Sequence, residues 1–142
     1  MVILKSVDSP LGIIRQQTTL SPIKFENYLV KWGPGGVSKF ITHYYFDFLY
    51  PFVYAVFLAA CLVQTKAASR NPWIILLPFF ACAFDQIENS IQLPMTLGWI
   101  DPGSPLFYVA AVSAQLKWLL AAVSVVIILI ALVRKLRNKI IN

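Results

Sequence analysis

Charged residues are scarce in this chain. Only 13% of its 142 residues are Asp, Glu, Lys or Arg, whereas 58% are hydrophobic and the mean hydropathy is +0.70. A soluble domain carries about 25% charged residues, because its surface must face water. The composition therefore excludes a soluble domain of ordinary type and predicts an all-α integral membrane protein in a single domain.

Metal-binding and redox motifs are also lacking. The two cysteines, Cys61 and Cys82, stand apart inside apolar runs, without CxxC or Cys/His spacing, and there is one histidine, His43. This pattern predicts no metal site and no cofactor. Gly-rich phosphate loops and His-box spacings are absent. The first twenty residues contain no apolar core of signal-peptide length, so we expect no cleavable signal.

Acidic residues number only 6 against 12 basic ones, which gives a net charge of +6. The basic residues flank the apolar runs at the chain ends and in one short linker. That distribution favours contact with anionic lipid headgroups over nucleic acid, so we expect no nucleic-acid partner.

Three apolar runs predict three transmembrane helices, at about 44–65, 72–97 and 106–133. Each exceeds the roughly 20 residues needed to cross the hydrocarbon layer. The third has 28 residues, or about 42 Å, so it must tilt or project from the bilayer. The predicted architecture is an N-terminal region, 1–43, followed by a three-helix transmembrane domain with a basic tail, 44–142.

A further helix is predicted near 22–32, with Ser21 as its cap. Its apolar residues recur at i, i+3, i+4 and i+7, counted from Phe25, and so form one stripe along the helix. Such a stripe predicts a helix lying in the membrane interface. An amphipathic helix packed on a partner subunit is the alternative. The glycine-rich segment GPGG ends this helix, and Ser38 is the expected cap of the next one. The predicted interfacial anchors are Phe25, Tyr28, Leu29 and Trp32.

Orientation follows weakly from the positive charges. The tail RKLRNK and the linker QTKAASRN carry cations on the same side, whereas the loop between the second and third helices carries none. The density of cations beside the last helix favours a cytoplasmic tail, in a bacterial inner membrane.

Four ionisable residues lie within the predicted spans, where a charge is costly. Counting about 1.5 Å per residue from the basic helix ends places them in one layer, roughly 22–28 Å away. This depth predicts that Lys117 lies within salt-bridge reach of Asp85 or Glu88. The four residues, which are also the only candidates for catalysis, are Asp47, Asp85, Glu88 and Lys117.

The helical faces agree with this layer. The second helix places Asp85, Glu88, Asn89 and Gln92 on one stripe. The third helix surrounds Lys117 with small residues, which is typical of a packing face. On the first helix, His43, Asp47, Tyr50, Pro51 and Tyr54 form one line, so we expect the Tyr50 and Tyr54 hydroxyls to reach the carboxylates.

The runs YFDFLYPFVYA, PFFACAFDQIENSIQL and AQLKW resemble a set of small bacterial membrane proteins. The shared pattern is an Asp, a Pro and a Tyr in that order along the first helix (Asp…Pro…Tyr), Asp-x-x-Glu-Asn in the second and Ala-x-x-Lys in the third. The resemblance covers most of residues 32–120. It implies a polytopic membrane fold and no particular activity.

Two functional hypotheses remain. The first is an accessory subunit of a larger membrane complex, in which the carboxylate–lysine network sets helix packing. The alternative is a membrane-embedded enzyme or binding protein that acts on a lipid, isoprenoid, pigment or ion through the same residues. The expected partners are the lipid bilayer and other membrane subunits, and a bound lipid or pigment would fit either hypothesis.

Overall fold

The computed structural model describes residues 10–69 and 71–141, with side chains for 12–69 and 71–138. The start of the predicted N-terminal region, Arg70 of the basic linker and the last tail side chains lie outside these residues. The described chain is helical throughout, without a β-strand. Its helices are α1 (Pro10–Gln17), α2 (Pro22–Asp47), α3 (Tyr50–Gln64), α4 (Leu77–Thr96) and α5 (Leu106–Ile141), with 3-10 turns at Ala67–Ser69 and Pro72–Leu76.

Two segments are each long and apolar enough to cross a membrane, Pro72–Thr96 and Leu106–Asn138. A third span results if α2 and α3, which are bent by 43° at their junction, are counted together. Helix α3 alone has 15 residues, or about 22 Å, which is shorter than a roughly 30 Å hydrocarbon layer. A third span would therefore need the last part of α2 as well as α3.

A break at Phe48 and Leu49 divides the predicted first helix, 44–65, into two helices. Its cause is Pro51, which has no N–H to donate to the carbonyl of Asp47. The Phe52 N–H bonds to the Leu49 carbonyl at 3.2 Å, a tighter 3-10 connection. The break places Asp47 and Tyr50 on different helices.

A second break lies within α2. Gly33 has φ 65° and ψ 179°, a conformation that is open essentially to glycine alone. Pro34 then opens the next helical arm, as proline does well at a first turn. The expected cap at Ser38 is wrong, because Ser38 lies inside this arm, where its carbonyl accepts a bond from the Thr42 hydroxyl.

The kink at Gly33 folds α2 back on itself. Phe25, near its start, packs against Met95, and Tyr44, near its end, bonds to Gln92. Both ends of α2 thus lie beside neighbouring turns of α4. The Trp32 ring lies 4.8 Å from the Phe40 ring, across the kink. Helix α2 therefore covers the end of the bundle.

The predicted interfacial anchors lie against the protein itself. Phe25 and Trp32 are buried, the first beside Phe107, and Tyr28 and Leu29 are half-buried around them. The interfacial-anchor assignment is therefore corrected: this stripe packs on the chain's own helices. An apolar stripe has the same spacing whether it faces lipid or protein, so the sequence pattern could not separate the two.

The most extensive packing joins α4 and α5. The face of α5 predicted from its small residues is buried, and it includes Ala110, Ser113, Ala114 and Ser124. Small side chains allow the two backbones to approach closely. At the opposite end of the bundle, Leu58 and Leu62 of α3 pack with Ile128 of α5. These contacts hold α3, α4 and α5 as the central three-helix unit.

Candidate functional site

The polar stripe of α4 faces the protein interior. Asp85, Glu88, Asn89 and Gln92 are each at most 4% exposed. Their spacing places them on one side of the helix, as expected, and this side meets the small-residue face of α5. Buried polar side chains are costly unless they are hydrogen-bonded. The stripe therefore requires polar partners from the neighbouring helices.

Lys117 is the cation of the site. Its Nζ lies 2.7 Å from Oδ1 of Asp85, to which it donates a hydrogen bond, and 2.7 Å from Oε2 of Glu88. All three side chains are at most 6% exposed. The contact predicted from depth and helical phase is thus present, and one ammonium group bridges two carboxylates.

Three acceptor atoms at this ion pair have no hydrogen-bond partner among the described residues. They are Oε1 and Oε2 of Glu88 and Oδ1 of Asn89. The contact between Lys117 and Oε2 of Glu88 is close, but its angles fall outside hydrogen-bond geometry. The site therefore retains acceptor capacity that its own side chains do not use.

Asp47 lies at the margin of the cluster. The Gln17 amide is 3.5 Å from its Oδ2, and His43 Nε2 lies 3.9 Å from the same oxygen. The Asp47 side chain is 13% exposed, more than Asp85 or Glu88. Counted formally, Asp47, Asp85 and Glu88 carry three negative charges against the one positive charge of Lys117.

Side-chain amides of α4 bond to the backbone freed at the break after Asp47. Asn89 Nδ2 donates to the Asp47 carbonyl at 2.9 Å, the carbonyl that Pro51 leaves without a helical partner. Gln86 Nε2 donates to the neighbouring Phe48 carbonyl at 3.0 Å. Asn89 Nδ2 also lies 3.4 Å from Asp85 Oδ1. The helix break and the carboxylate cluster are therefore tied through Asn89.

The two tyrosines predicted to reach the carboxylates behave differently. Tyr54 donates its hydroxyl to Asp85 Oδ2 at 3.2 Å. Tyr50 is 62% exposed and makes an edge contact with the Tyr54 ring. Tyr50 lines the same groove as Asp47, but no hydrogen bond joins its hydroxyl to a carboxylate among the described residues, so the expectation is wrong for Tyr50.

The network has three members that were not anticipated, Tyr44, Gln17 and Gln86. Gln92 accepts from the Tyr44 hydroxyl at 3.3 Å and donates to the Gln17 carbonyl at 3.3 Å. Gln17 comes from α1, a segment for which no helix was expected, and Gln86 lies off the polar stripe. Nothing in their local pattern points to Asp47 or to the helix break. Only the fold-back of the N-terminal helices brings Gln17 to the site.

A groove of about 750 Å³ opens beside the cluster, between α1, α2, α3 and α5. Its polar lining residues are Gln17, His43, Asp47, Tyr50, Tyr54, Asp85 and Lys117. The remaining wall is mainly apolar, and it includes Ile13, Ile14, Phe46, Phe57, Leu58, Trp118, Ala121 and Val125. The groove is large enough for part of an extended hydrocarbon chain.

Comparisons with family models, curated proteins and solved structures find no match. The function must therefore be argued from the site. Within the described residues, no three histidine, cysteine or acidic side chains are placed to hold a metal ion together. The geometry thus lends no support to a cation held by the three carboxylates.

Proposed function

We propose that this chain is a multi-pass membrane protein that binds an amphiphilic, lipid-like molecule in the groove beside Lys117. The observation that carries the proposal is the lining of this groove, which combines a broad apolar wall with one group of polar and charged side chains. No reaction is assigned. In this proposal the carboxylate–lysine cluster both positions the helices and receives the polar end of the ligand.

Placement in a bilayer is supported by the apolar surface. Helices α3, α4 and α5 expose many large hydrophobic side chains, among them Phe52, Val56, Phe57, Phe80, Val126 and Leu129. Soluble monomers rarely expose contiguous apolar patches of more than a few hundred Å². A hydrocarbon surrounding removes that difficulty, and the helices have the length to cross it.

The carboxylates of the groove, Asp47 and Asp85, favour a ligand that donates hydrogen bonds or carries positive charge. Asp47 and Asp85 line the groove with one cation, Lys117, whose charge is already matched by Asp85. Asp47 is the most exposed of the carboxylates. A hydroxyl or amine at the end of a hydrocarbon chain would meet acceptors there, whereas an anionic headgroup would meet repulsion.

The first experiment identifies the bound molecule. We expect gentle detergent extraction followed by native mass spectrometry to show a copurified amphiphile on the intact chain. Ala121→Trp would fill the groove, because Ala121 lies in its wall, and should reduce ligand occupancy at least several-fold. Ala122→Trp is the matched control, because Ala122 is exposed and does not line this groove, so it should leave occupancy unchanged.

Equal occupancy in both tryptophan variants would contradict binding in this groove. Asp47→Asn separately tests whether the carboxylates of the groove contribute to binding. We expect it to weaken retention of an amine-bearing ligand and to change retention of a neutral hydroxyl-bearing ligand less, because only the first gains from the full charge.

A second candidate function is an accessory subunit of a larger membrane complex. The observation that favours it is the one-sided packing of α5. Only 11% of its most apolar 18-residue stretch is buried. The same mass measurement separates the candidates. A stoichiometric protein partner that persists after extraction would support the subunit, whereas a chain that purifies with lipid alone would support the binding protein.

A further inference from the structure

A second groove lies at the other end of the molecule, far along α5 from the carboxylate cluster. It has a volume of about 610 Å³ and lies between the end of α3, the following 3-10 turn and the last turns of α5. Its wall includes the cations Lys66, Arg134 and Lys135 and the apolar residues Ile127, Ile130 and Ala131. The cations thus lie one turn beyond an apolar surface.

We infer that this groove binds the phosphate headgroup of an anionic phospholipid, with the acyl chains lying along Ile127 and Ile130. Phosphate is the group that clustered Lys and Arg side chains bind through charge-assisted hydrogen bonds. The adjoining apolar wall suits a hydrocarbon chain and has no use in binding a free anion. This site is separate from the proposed amphiphile groove, and its ligand has the opposite charge.

The charge distribution favours an anion. The sequence has no Asp or Glu in residues 48–84 or 102–142, the segments that supply the whole wall of this groove. No Asp or Glu side chain from these segments can therefore neutralise the three cations. A basic cluster directly beside a membrane-spanning helix is attracted to anionic lipid by about 1 kcal/mol for each Lys or Arg near the surface.

The backbone at Lys66 gives independent support. Lys66 has φ 56°, and it is the only non-glycine residue in the described chain with a positive φ. Its N–H bonds to the Val63 carbonyl at 3.0 Å, which ends α3 in the position that glycine usually occupies. A lysine there accepts a conformational penalty that glycine would avoid, and it brings a cation to the groove wall.

The test uses the full chain in detergent micelles, with added phosphatidylglycerol, phosphatidylcholine or inorganic phosphate, and native mass spectrometry as the readout. We expect phosphatidylglycerol to bind in preference to phosphatidylcholine. The double substitution Arg134→Gln with Lys135→Gln should weaken phosphatidylglycerol binding by about tenfold or more, because two cation contacts are lost. Both side chains are exposed, so the fold should not depend on them.

Arg137→Gln is the matched control, because Arg137 is exposed on the same helix but does not line the groove. It should change binding less than about twofold, which is the scale of a screened surface charge. Ala131→Trp, which fills the groove and leaves every charge in place, should weaken binding, whereas Ala122→Trp should not.

Two results would overturn the inference. In the first, both phospholipids bind equally and the double substitution has no effect, which would mean that the cations do not select a headgroup. In the second, inorganic phosphate displaces phosphatidylglycerol at equal concentration, which would mean that the groove holds a free anion and does not bind the lipid chains.

Discussion

At the scale of single residues, the most demanding feature is Lys117 between two buried carboxylates. A buried ion pair gains little net stability over apolar packing, because removing both charges from water is expensive. Removing one partner is different, since it leaves an uncompensated charge in the interior. The cluster is therefore better suited to specifying one helix arrangement than to adding stability, and its members should depend strongly on one another.

Lys117→Met should destabilise the protein by about 3–5 kcal/mol, because Asp85 and Glu88 would both lose their cation. The free energy of unfolding in detergent micelles measures this loss. Gln115→Met is the control, because Gln115 is exposed on the same helix, and it should change stability by less than about 0.5 kcal/mol.

Combining Lys117→Met with Asp85→Asn should cost less than the sum of the two single changes, because it removes both charges of one pair. Unfolding free energies of the four proteins in this cycle give the coupling. Strict additivity would mean that the two side chains do not interact, contrary to their 2.7 Å contact.

Asn89 should also be sensitive, for a different reason. Its amide donates to the Asp47 carbonyl, and Asn89→Ala would leave that carbonyl without its donor. An unsatisfied buried polar group costs about 1–3 kcal/mol. In the proposed bilayer setting, backbone groups at a helix break have few other partners, so the loss should be near the upper end of this range.

At the scale of helices, the breaks at Pro51 and Gly33 set the course of the chain. Pro51 divides one apolar run into α2 and α3, and Gly33 folds α2 back over the end of the bundle. Both act through the backbone. Together they bring Asp47 of α2 and Gln17 of α1 to the polar stripe of α4. The two residues would not both reach this stripe if α2 and α3 continued as one straight helix.

Pro51→Ala should make Asn89→Ala less damaging. An alanine at position 51 restores the N–H that an α-helix directs to the carbonyl of residue 47, so the Asn89 amide becomes partly redundant. Measuring unfolding free energy for the two single variants and the double variant tests this coupling. If Asn89→Ala costs the same in both backgrounds, the amide does not serve the break.

Gly33→Ala should destabilise α2 by about 1–3 kcal/mol, because a side chain is strained at φ 65° with ψ near 180°. Gly35→Ala is the matched control. Gly35 lies in a helical arm, and a β-carbon at either glycine would meet no atom within 4 Å, so only the backbone conformation differs. We expect Gly35→Ala to be neutral or slightly stabilising, as is usual for glycine in a helix.

At the scale of the whole molecule, the carboxylate cluster and the cations of the second groove lie beside opposite halves of α5. The carboxylate cluster lies toward the loop between α4 and α5, whereas the basic groove joins the α3–α4 linker and the tail. In the proposed bilayer arrangement, these ends would lie in opposite leaflets. The positive-inside tendency then favours the basic end on the cytoplasmic side.

This topology predicts that cysteines placed at Ser69 and Asp101, both exposed, are labelled from opposite sides of the membrane. The background chain would carry alanine at Cys61 and Cys82, so that only the new thiol reacts. With a membrane-impermeant maleimide on intact cells, we expect Asp101→Cys to react and Ser69→Cys to react only after permeabilisation. Labelling of both from the same side would contradict three spans.

The sequence by itself determined the helical class of the chain, the buried stripe of α4, the small-residue face of α5 and the contact between Lys117 and its carboxylates. These follow from helical period and residue counts within unbroken helices, where phase and depth are local properties. Tertiary structure alone decided the fold-back of α2, the burial of Phe25 and Trp32, the exposure of Tyr50 and the part played by Gln17. Each of these lies beyond a helix break, where phase is lost, or depends on whether an apolar stripe meets protein or lipid. Sequence pattern cannot distinguish those surroundings, because both are equally apolar.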